Sequence, residues 1–332
     1  WGRRPVLLVA LFVMTADYLV MAVAGSVWLL LAGRIVGGIT AATQSTASAY
    51  MADISKPDEK SANFGLIGAA FGVGFVLGPL LGGLLAEYST RAPFYAAAIF
   101  AFSNMIFGYF ALPETVTDRI RRPFEWRRAN PFGAFRHIGS LPGLGRLLLI
   151  TLIYGIAFFV YPAVWAYFGQ ARFGWSPGMI GVSLAAFGIS IAIVQGVLMK
   201  PILRYLGERN TVMLGLSIDV VAFLFLAFVS NGLLAILLTP ITALGSMAGP
   251  AIQGIMSRTA PDDQQGELQG ALTSINAVAI IIAPLVMTQI FWFFTSDAAP
   301  FRLLGAPFLL SAVLTIFSIA IFSLSRPEPV KS

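Results

Sequence analysis

The chain has no cysteine, one histidine and little charge, and each shortage removes a class of chemistry. Without cysteine there are no disulfides, thiolate metal sites or cysteine nucleophiles, and the redox compartment is left open. The one histidine, His137, lies in a polar connection and reads as a solvated loop residue, since a transition-metal site needs several converging ligands. Charged residues make up 11% of the sequence against 58% hydrophobic ones. A water-soluble surface needs roughly twice that charge, so most of this surface must meet lipid. A net charge of +6 would suggest nucleic acid in a soluble protein, but here the basic residues stand between long apolar runs and read as topology signals. No nucleophile and base set, phosphate loop or dense metal cluster is legible. The expectation is therefore a non-enzyme with no catalytic residues, no bound metal and no cofactor.

A membrane-spanning helix needs about 20 mostly apolar residues. About ten such segments are present, over 5–24, 27–50, 62–86, 92–112, 144–168, 178–205, 210–230, 232–256, 266–293 and 301–325. Runs such as AILLTPITALGSMAG are too long and unalternating for barrel strands, so the fold class is all-α integral membrane. If the amino end is cytoplasmic, seventeen of the 21 Lys and Arg residues lie in cytoplasmic connections and three, Arg91, Arg172 and Arg302, lie outside. That asymmetry predicts both ends cytoplasmic. The polar connection 113–143 divides four spans (1–112) from six (144–332). It reads equally as a membrane-surface helix or a plain linker.

Landmarks recur at one separation. Gly2 and Gly207, Met51 and Met256, Gly65 and Gly270, and Pro79 and Pro284 are each 205 residues apart. The six-span half opens near Leu144, so its counterpart is expected to open roughly sixty residues ahead of Trp1, room for two helices. The expectation is a fragment or processed product of a longer protein.

Several residues break the apolar pattern. Gly2, Arg3 and Arg4 open the first span, where arginines anchor at phosphates or cap helix ends. Asp17, in LFVMTADYLVMA, and Asp219, in LGLSIDVVAFLFLAF, stand inside spans, where a carboxylate costs ~2.5 to 3.5 kcal/mol on insertion scales. Such groups face a cavity, a partner or a proton path. Arg34 stands beside a strip of small residues, Gly33, Gly37, Ala41, Ser45 and Ala49, that suits a neighbouring helix. Its guanidinium either pairs with Asp17 or another acid or snorkels to headgroups. Asp53 closes that helix level with Arg3 and Arg4, as a gate latch or a solvated acid. The third span carries Gly74, Gly78, Pro79, Gly82 and Gly83, where proline bends a helix and glycines admit another backbone. Amides recur in the spans at Gln44, Asn104, Gln195, Gln253, Asn276 and Gln289, compatible with a hydrated path. Phe158, Phe159, Tyr161, Trp165 and Tyr167 suit core, interfacial belt or a pocket for planar molecules.

On the segments GRRPVLL, ADYLVMA, GRIVGGITAATQSTASAYMADIS, GVGFVLGPLLGG, RFGWSPGMIGVSLAAFG, LGERNTVMLG and QGELQGALTSINA, the chain resembles the major facilitator superfamily. Within it the likeness is to the bacterial tetracycline/proton antiporters (TetA-like) and their multidrug relatives. The resemblance implies a two-bundle fold of twelve helices, of which this chain would hold helices 3 to 6 and the whole second bundle. It implies a monomer in the bacterial inner membrane. Its expected partners are the bilayer, protons and a small-molecule drug, tetracycline or similar, carried as a divalent-metal chelate, and not nucleic acid. It assigns Gly2, Arg3 and Arg4 to a cytoplasmic signature, with Asp53 as the acid that follows the fourth helix. It assigns Asp17 and Asp219 to coupled export, Arg34 to the fourth-helix arginine, Gln195 to a polar eighth-helix position and Gly74 to Gly83 to the antiporter signature. The chain departs from the tetracycline pattern at Ile191, where those exporters often carry histidine, and in FFVYP, where they place glutamine before the proline. A metabolite or sugar transporter of the same superfamily, or a non-transporting membrane protein, stays open as an alternative.

Overall fold

A computed structural model of the chain describes residues 2–39, 43–54, 60–115, 143–260, 265–297 and 299–324. The expected linker therefore lies outside the described residues from 116 to 142, and His137 with it. Among the described residues the regular structure is helical. The chain falls into two compact units, Trp1–Phe124 with Pro177–Ala185, and Glu125–Ser176 with Ala186–Ser332.

The first unit contains α1 (Arg3–Val23), α2 (Val27–Ile39), α3 (Thr43–Ile54), α4 (Lys60–Tyr88) and α5 (Ala92–Ala111). Helix α1 packs chiefly on α5 and also on α2 and α3. Ile99, Phe100, Phe107 and Phe110 of α5 stay exposed, as lipid permits and water would not.

The remaining helices are α6 (Gly145–Phe158), α7 (Val160–Phe173), α8 (Pro177–Ile193), α9 (Met199–Phe228), α10 (Gly232–Leu237), α11 (Thr239–Ala243), α12 (Ala248–Thr259), α13 (Gln265–Thr295) and α14 (Ala306–Leu324). A π-helical turn, Val194–Leu198, joins α8 to α9, and a 3₁₀ turn, Leu244–Met247, joins α11 to α12. In the second unit α9 packs chiefly on α14, as α1 does on α5 in the first, so the 205-residue repeat is visible in packing as well as sequence.

Among the described residues, six helical stretches are long and apolar enough to cross a membrane: Arg3–Val23, Ala92–Ala111, Gly145–Phe173, Pro177–Phe228, Gly270–Thr295 and Ala306–Leu324. The ten expected segments all fall on helix, but several are broken. Segment 27–50 carries α2 and α3, with 40–42 outside the described residues, and 232–256 is divided between α10, α11, the 3₁₀ turn and α12, where Pro240 removes a backbone donor. The break between α6 and α7 falls at Phe159, because Pro162 cannot donate to the carbonyl four residues back. Pro177–Phe228 spans 52 residues, far more than one crossing needs, and carries two of the expected segments. Gly207 separates them at φ 73°, ψ 168°, a conformation open to glycine and costly for other residues.

The core of the second unit is aromatic. Tyr161 stacks at 4.7 Å on Phe187 and 5.6 Å on Phe223, and Phe168 meets Phe308 edge-on at 5.0 Å. Each such pair adds about 0.5–1.5 kcal/mol beyond area burial. Ser311 Oγ donates to the Ala157 carbonyl at 3.0 Å, tying α14 to α6 beside the break. Of the aromatic run considered above, Tyr161 and Trp165 are core, Phe158 and Phe159 line a cavity and Tyr167 is exposed.

Candidate functional site

Among the described residues, two carboxylates are buried within apolar helices, one in each unit. Helix α9 is apolar around Asp219, so the side chain enters the core with its neighbours and is 0% exposed. Tyr154 Oη, from α6, donates to Asp219 Oδ2 at 2.8 Å and lies 3.4 Å from the Gly245 carbonyl oxygen on the 3₁₀ turn. Asp219 Oδ1 is buried without a hydrogen-bond partner among the described residues. It lies against Gly245, where any added Cβ would collide with the carboxylate. The turn therefore carries glycine to admit the acid.

Tyr154 also forms part of the wall of a cavity of about 300 Å³, shared with Thr151, Phe158, Phe159, Gln253, Thr273 and Asn276 among others. The lining mixes aromatic faces with hydroxyl and amide groups and carries no formal charge, which suits a small, largely neutral organic molecule with several polar groups.

In the first unit Asp17 is 9% exposed and its Oδ2 lies 3.8 Å from Arg34 Nη1. The Arg34 guanidinium also touches the Met21 sulfur and is 54% exposed. Asp17 is seated on α2: a Cβ added at Gly33 would lie 3.0 Å from Oδ1, and one at Gly37 would lie 3.2 Å from Oδ2. The small-residue strip thus serves here as a seat for a carboxylate, a more specific use than a general packing face. Arg34 is thus placed beside Asp17 while its guanidinium stays half exposed.

At the start of α1, Arg3 Nε donates to Asp53 Oδ2 at 3.2 Å, and Thr115 Oγ1 donates to the same oxygen at 3.0 Å. The backbone N–H groups of Arg3 and Arg4 donate to the two oxygens of Glu114, at 2.9 and 3.2 Å. Glu114 thereby caps α1 from the segment after α5, satisfying donors that the first helical turn leaves free. A Cβ at Gly2 would collide with that carboxylate, which explains the glycine. Arg4 Nη2 donates to the Tyr109 carbonyl at 2.6 Å, and its guanidinium lies 5.2 Å above the Tyr109 ring.

The second unit repeats the Arg3–Asp53 ion pair with the charges exchanged. Residues 205 beyond Arg3 and Asp53 are Glu208 and Arg258, which pair at 2.8 Å.

The α4 glycines divide. Around Gly74, Gly78 and Gly82 no heavy atom stands within 4 Å of an added Cβ, among the described residues. Gly83 instead meets α8 backbone to backbone, its Cα 3.1 Å from where a Gly181 Cβ would stand. Helix α4 runs through Pro79 unbroken. Gln195 is exposed on the π-helical turn and is not part of the cavity wall that holds Tyr154. Structure thus brings Asp17 to Arg34 and Arg3 to Asp53.

Tyr154, Glu114 and the Glu208–Arg258 pair are additions to the residues read from sequence. The 205-residue spacing points to the last two. For Tyr154 the available signal is a hydroxyl, one of two with Thr151, in the run GRLLLITLIYGIAFF.

The family model described as Major Facilitator Superfamily matches residues 1–284 and again 147–332. The chain is 40% identical over 291 residues to the tetracycline resistance protein, class C, of Escherichia coli, which covers 88% of this chain and 73% of that protein. The crystal structure of the human organic anion transporter MFSD10 (TETRAN) matches at TM-score 0.66 with 26% identity, over 97% of this chain and 77% of that one. A bacterial homologue of the human lysosomal transporter Spinster, inward-facing and occupied, shares the fold at TM-score 0.77 with 13% identity, over 96% and 81%.

Proposed function

Because the chain belongs to the major facilitator superfamily of multi-pass membrane transporters, we propose that it exports a small organic drug, tetracycline or a similar compound, across a bacterial inner membrane in exchange for protons. The observation that carries this reading is a buried carboxylate in each unit, beside relatives named for tetracycline resistance. A carboxyl group in lipid is costly and earns its place by carrying a proton or organising a path.

In this reading a proton entering from outside occupies a carboxylate, cargo leaves outward, and cytoplasmic cargo binds once the proton has left inward. The second-unit cavity receives the cargo, with Asp219 as proton carrier. Asp17 with Arg34 holds one state of the first unit, and the Arg3–Asp53 and Glu208–Arg258 pairs act as cytoplasmic latches. Gln195 contributes to the polar path, and Gly74, Gly78, Pro79, Gly82 and Gly83 let α4 slide or bend as the units alternate. A potential of 100 mV supplies about 2.3 kcal/mol for each charge moved inward. A divalent-metal chelate is the expected form of a tetracycline cargo, and a monomer with both chain ends cytoplasmic is the expected arrangement.

Everted membrane vesicles carrying the protein test this. Addition of tetracycline with magnesium should dissipate an imposed proton gradient, and Asp219→Asn should abolish the response. Proton-coupled tetracycline transport that survives both Asp17→Asn and Asp219→Asn would refute the carboxylate assignment. Gradient dissipation by sugars but not by tetracycline would transfer the protein to a metabolite-transporting branch.

A further inference from the structure

The tyrosine between the cavity and the buried acid has one hydrogen and two acceptors within reach. Tyr154 Oη is 2.8 Å from Asp219 Oδ2 and 3.4 Å from the Gly245 carbonyl oxygen, and it can donate to only one at a time. When the carboxylate is ionised, the hydroxyl donates to it, and the phenolic oxygen is free to accept a hydrogen bond from the cavity side. When Asp219 carries a proton on Oδ2, that O–H donates to the phenolic oxygen, and the tyrosine hydrogen turns to Gly245. Tyrosine keeps its own proton throughout, and only the direction of the chain reverses.

We propose that Tyr154 is a positioning residue whose phenolic oxygen is contested by the Asp219 proton and a hydrogen-bond donor of the cargo. The cargo class that fits is one presenting a hydroxyl, amide or other N–H donor toward Tyr154, flanked by flat apolar surface for Phe158 and Phe159. Competition for one acceptor makes proton and cargo exclude each other, which is the requirement of antiport. This rests on the proposed role of Asp219.

The surroundings favour such a local switch. Among the described residues, the ionisable side chains facing Asp219 from neighbouring elements are Tyr154 and Tyr161. Tyr161 Oη is buried and makes no hydrogen bond among those residues. The 3₁₀ turn Leu244–Met247 and helix α14 contribute no ionisable group. Arg258 of α12 is engaged with Glu208, and Arg209 Nη2 donates to the Ser323 carbonyl at 3.1 Å. No cation among the described residues competes with the tyrosine for the acid, so the hydroxyl decides how each protonation state is solvated.

The test uses the purified chain in detergent. The infrared carboxyl band of protonated Asp219 is identified by its loss in Asp219→Asn. In Tyr154→Phe, without any cargo, that band should move to higher frequency because its acceptor is gone, whereas Tyr161→Phe should leave it in place. Tetracycline with magnesium is then titrated on either side of the protonation step. Wild-type affinity should fall several-fold, up to about tenfold, on protonation, the scale of one hydrogen bond to a neutral acceptor. In Tyr154→Phe the two affinities should become equal. An unmoved band, or an undiminished affinity ratio in Tyr154→Phe, overturns the proposal. A band that moves as expected in a protein that ignores tetracycline supports the switch at Asp219 and instead refutes tetracycline as cargo.

Discussion

The two units bury an acid by opposite means. Asp17 has a guanidinium 3.8 Å away and a seat of two glycines, and the guanidinium is half exposed. Asp219 has a neutral hydroxyl and complete burial, while in both acids Oδ1 is buried without a hydrogen-bond partner among the described residues. A carboxylate with a cation beside it is held by an opposite charge. One with only a hydroxyl can change protonation state without orphaning an opposite charge. The comparison teaches that acids on corresponding helices of a repeat, here 202 residues apart and so about one helical turn out of the 205-residue register, need not share one task. In the proposed mechanism proton traffic belongs to the second unit and state-holding to the first.

The comparison would break most visibly at Asp219. Asp219→Asn should lower proton-driven drug uptake into everted vesicles by about a hundredfold or more, equivalent to ~2.7 kcal/mol of lost driving interaction. Retained coupling in that variant would move the proton site elsewhere. Next in size is Gly245→Ala, whose methyl collides with the carboxylate. Overpacking of this kind costs about 1–3 kcal/mol, and thermal unfolding in detergent should show it. The matching Gly33→Ala, with its milder 3.0 Å contact, should cost less.

A smaller effect is expected at the ion pair. Arg34→Gln should reduce transport, and Asp17→Asn added to it should recover part of the loss, because the double variant leaves no charge unpaired. With Arg34 54% exposed the pair is screened, so the coupling energy should stay near the surface range of about 0.2–1 kcal/mol. The latches should respond least. Exchanging partners in Arg3→Asp with Asp53→Arg, or in Glu208→Arg with Arg258→Glu, should restore most of the transport that either single change removes. Arg258 is 77% exposed, so the second exchange should be the milder one. Equal and severe loss in all four single variants, with no rescue, would argue against the latches as pairs.

The spans were legible because lipid imposes a length and a polarity that hydropathy reports directly, and Asp17, Asp219 and Arg34 stood out as exceptions to it. The helix breaks were less so. Pro162 forecasts a break between α6 and α7, but Pro79 sits in an α4 that continues through it, since neighbouring structure decides whether a lost hydrogen bond interrupts a helix. The strip containing Gly33 and Gly37 announced a close approach without saying that a carboxylate would make it, because spacing records room and not the visitor. Tyr154 was hidden in composition: a tyrosine in an apolar run serves as readily for packing, and its partner stands 65 residues away on another helix. Applied to Arg3 and Asp53, the 205-residue spacing lands on the exchanged pair Glu208 and Arg258, so that latch was recoverable from sequence alone.

Gly207 bears on how the protein is made as well as how it works. The run Pro177–Phe228 holds enough helix for two crossings, and a left-handed glycine turns it back within itself. Were that position to continue as helix, the chain would emerge on the opposite face, and the parity of every later span would invert. Gly207, together with the flanking Lys200, Arg204 and Arg209, thus bears on how α10 to α14 would be oriented during membrane insertion.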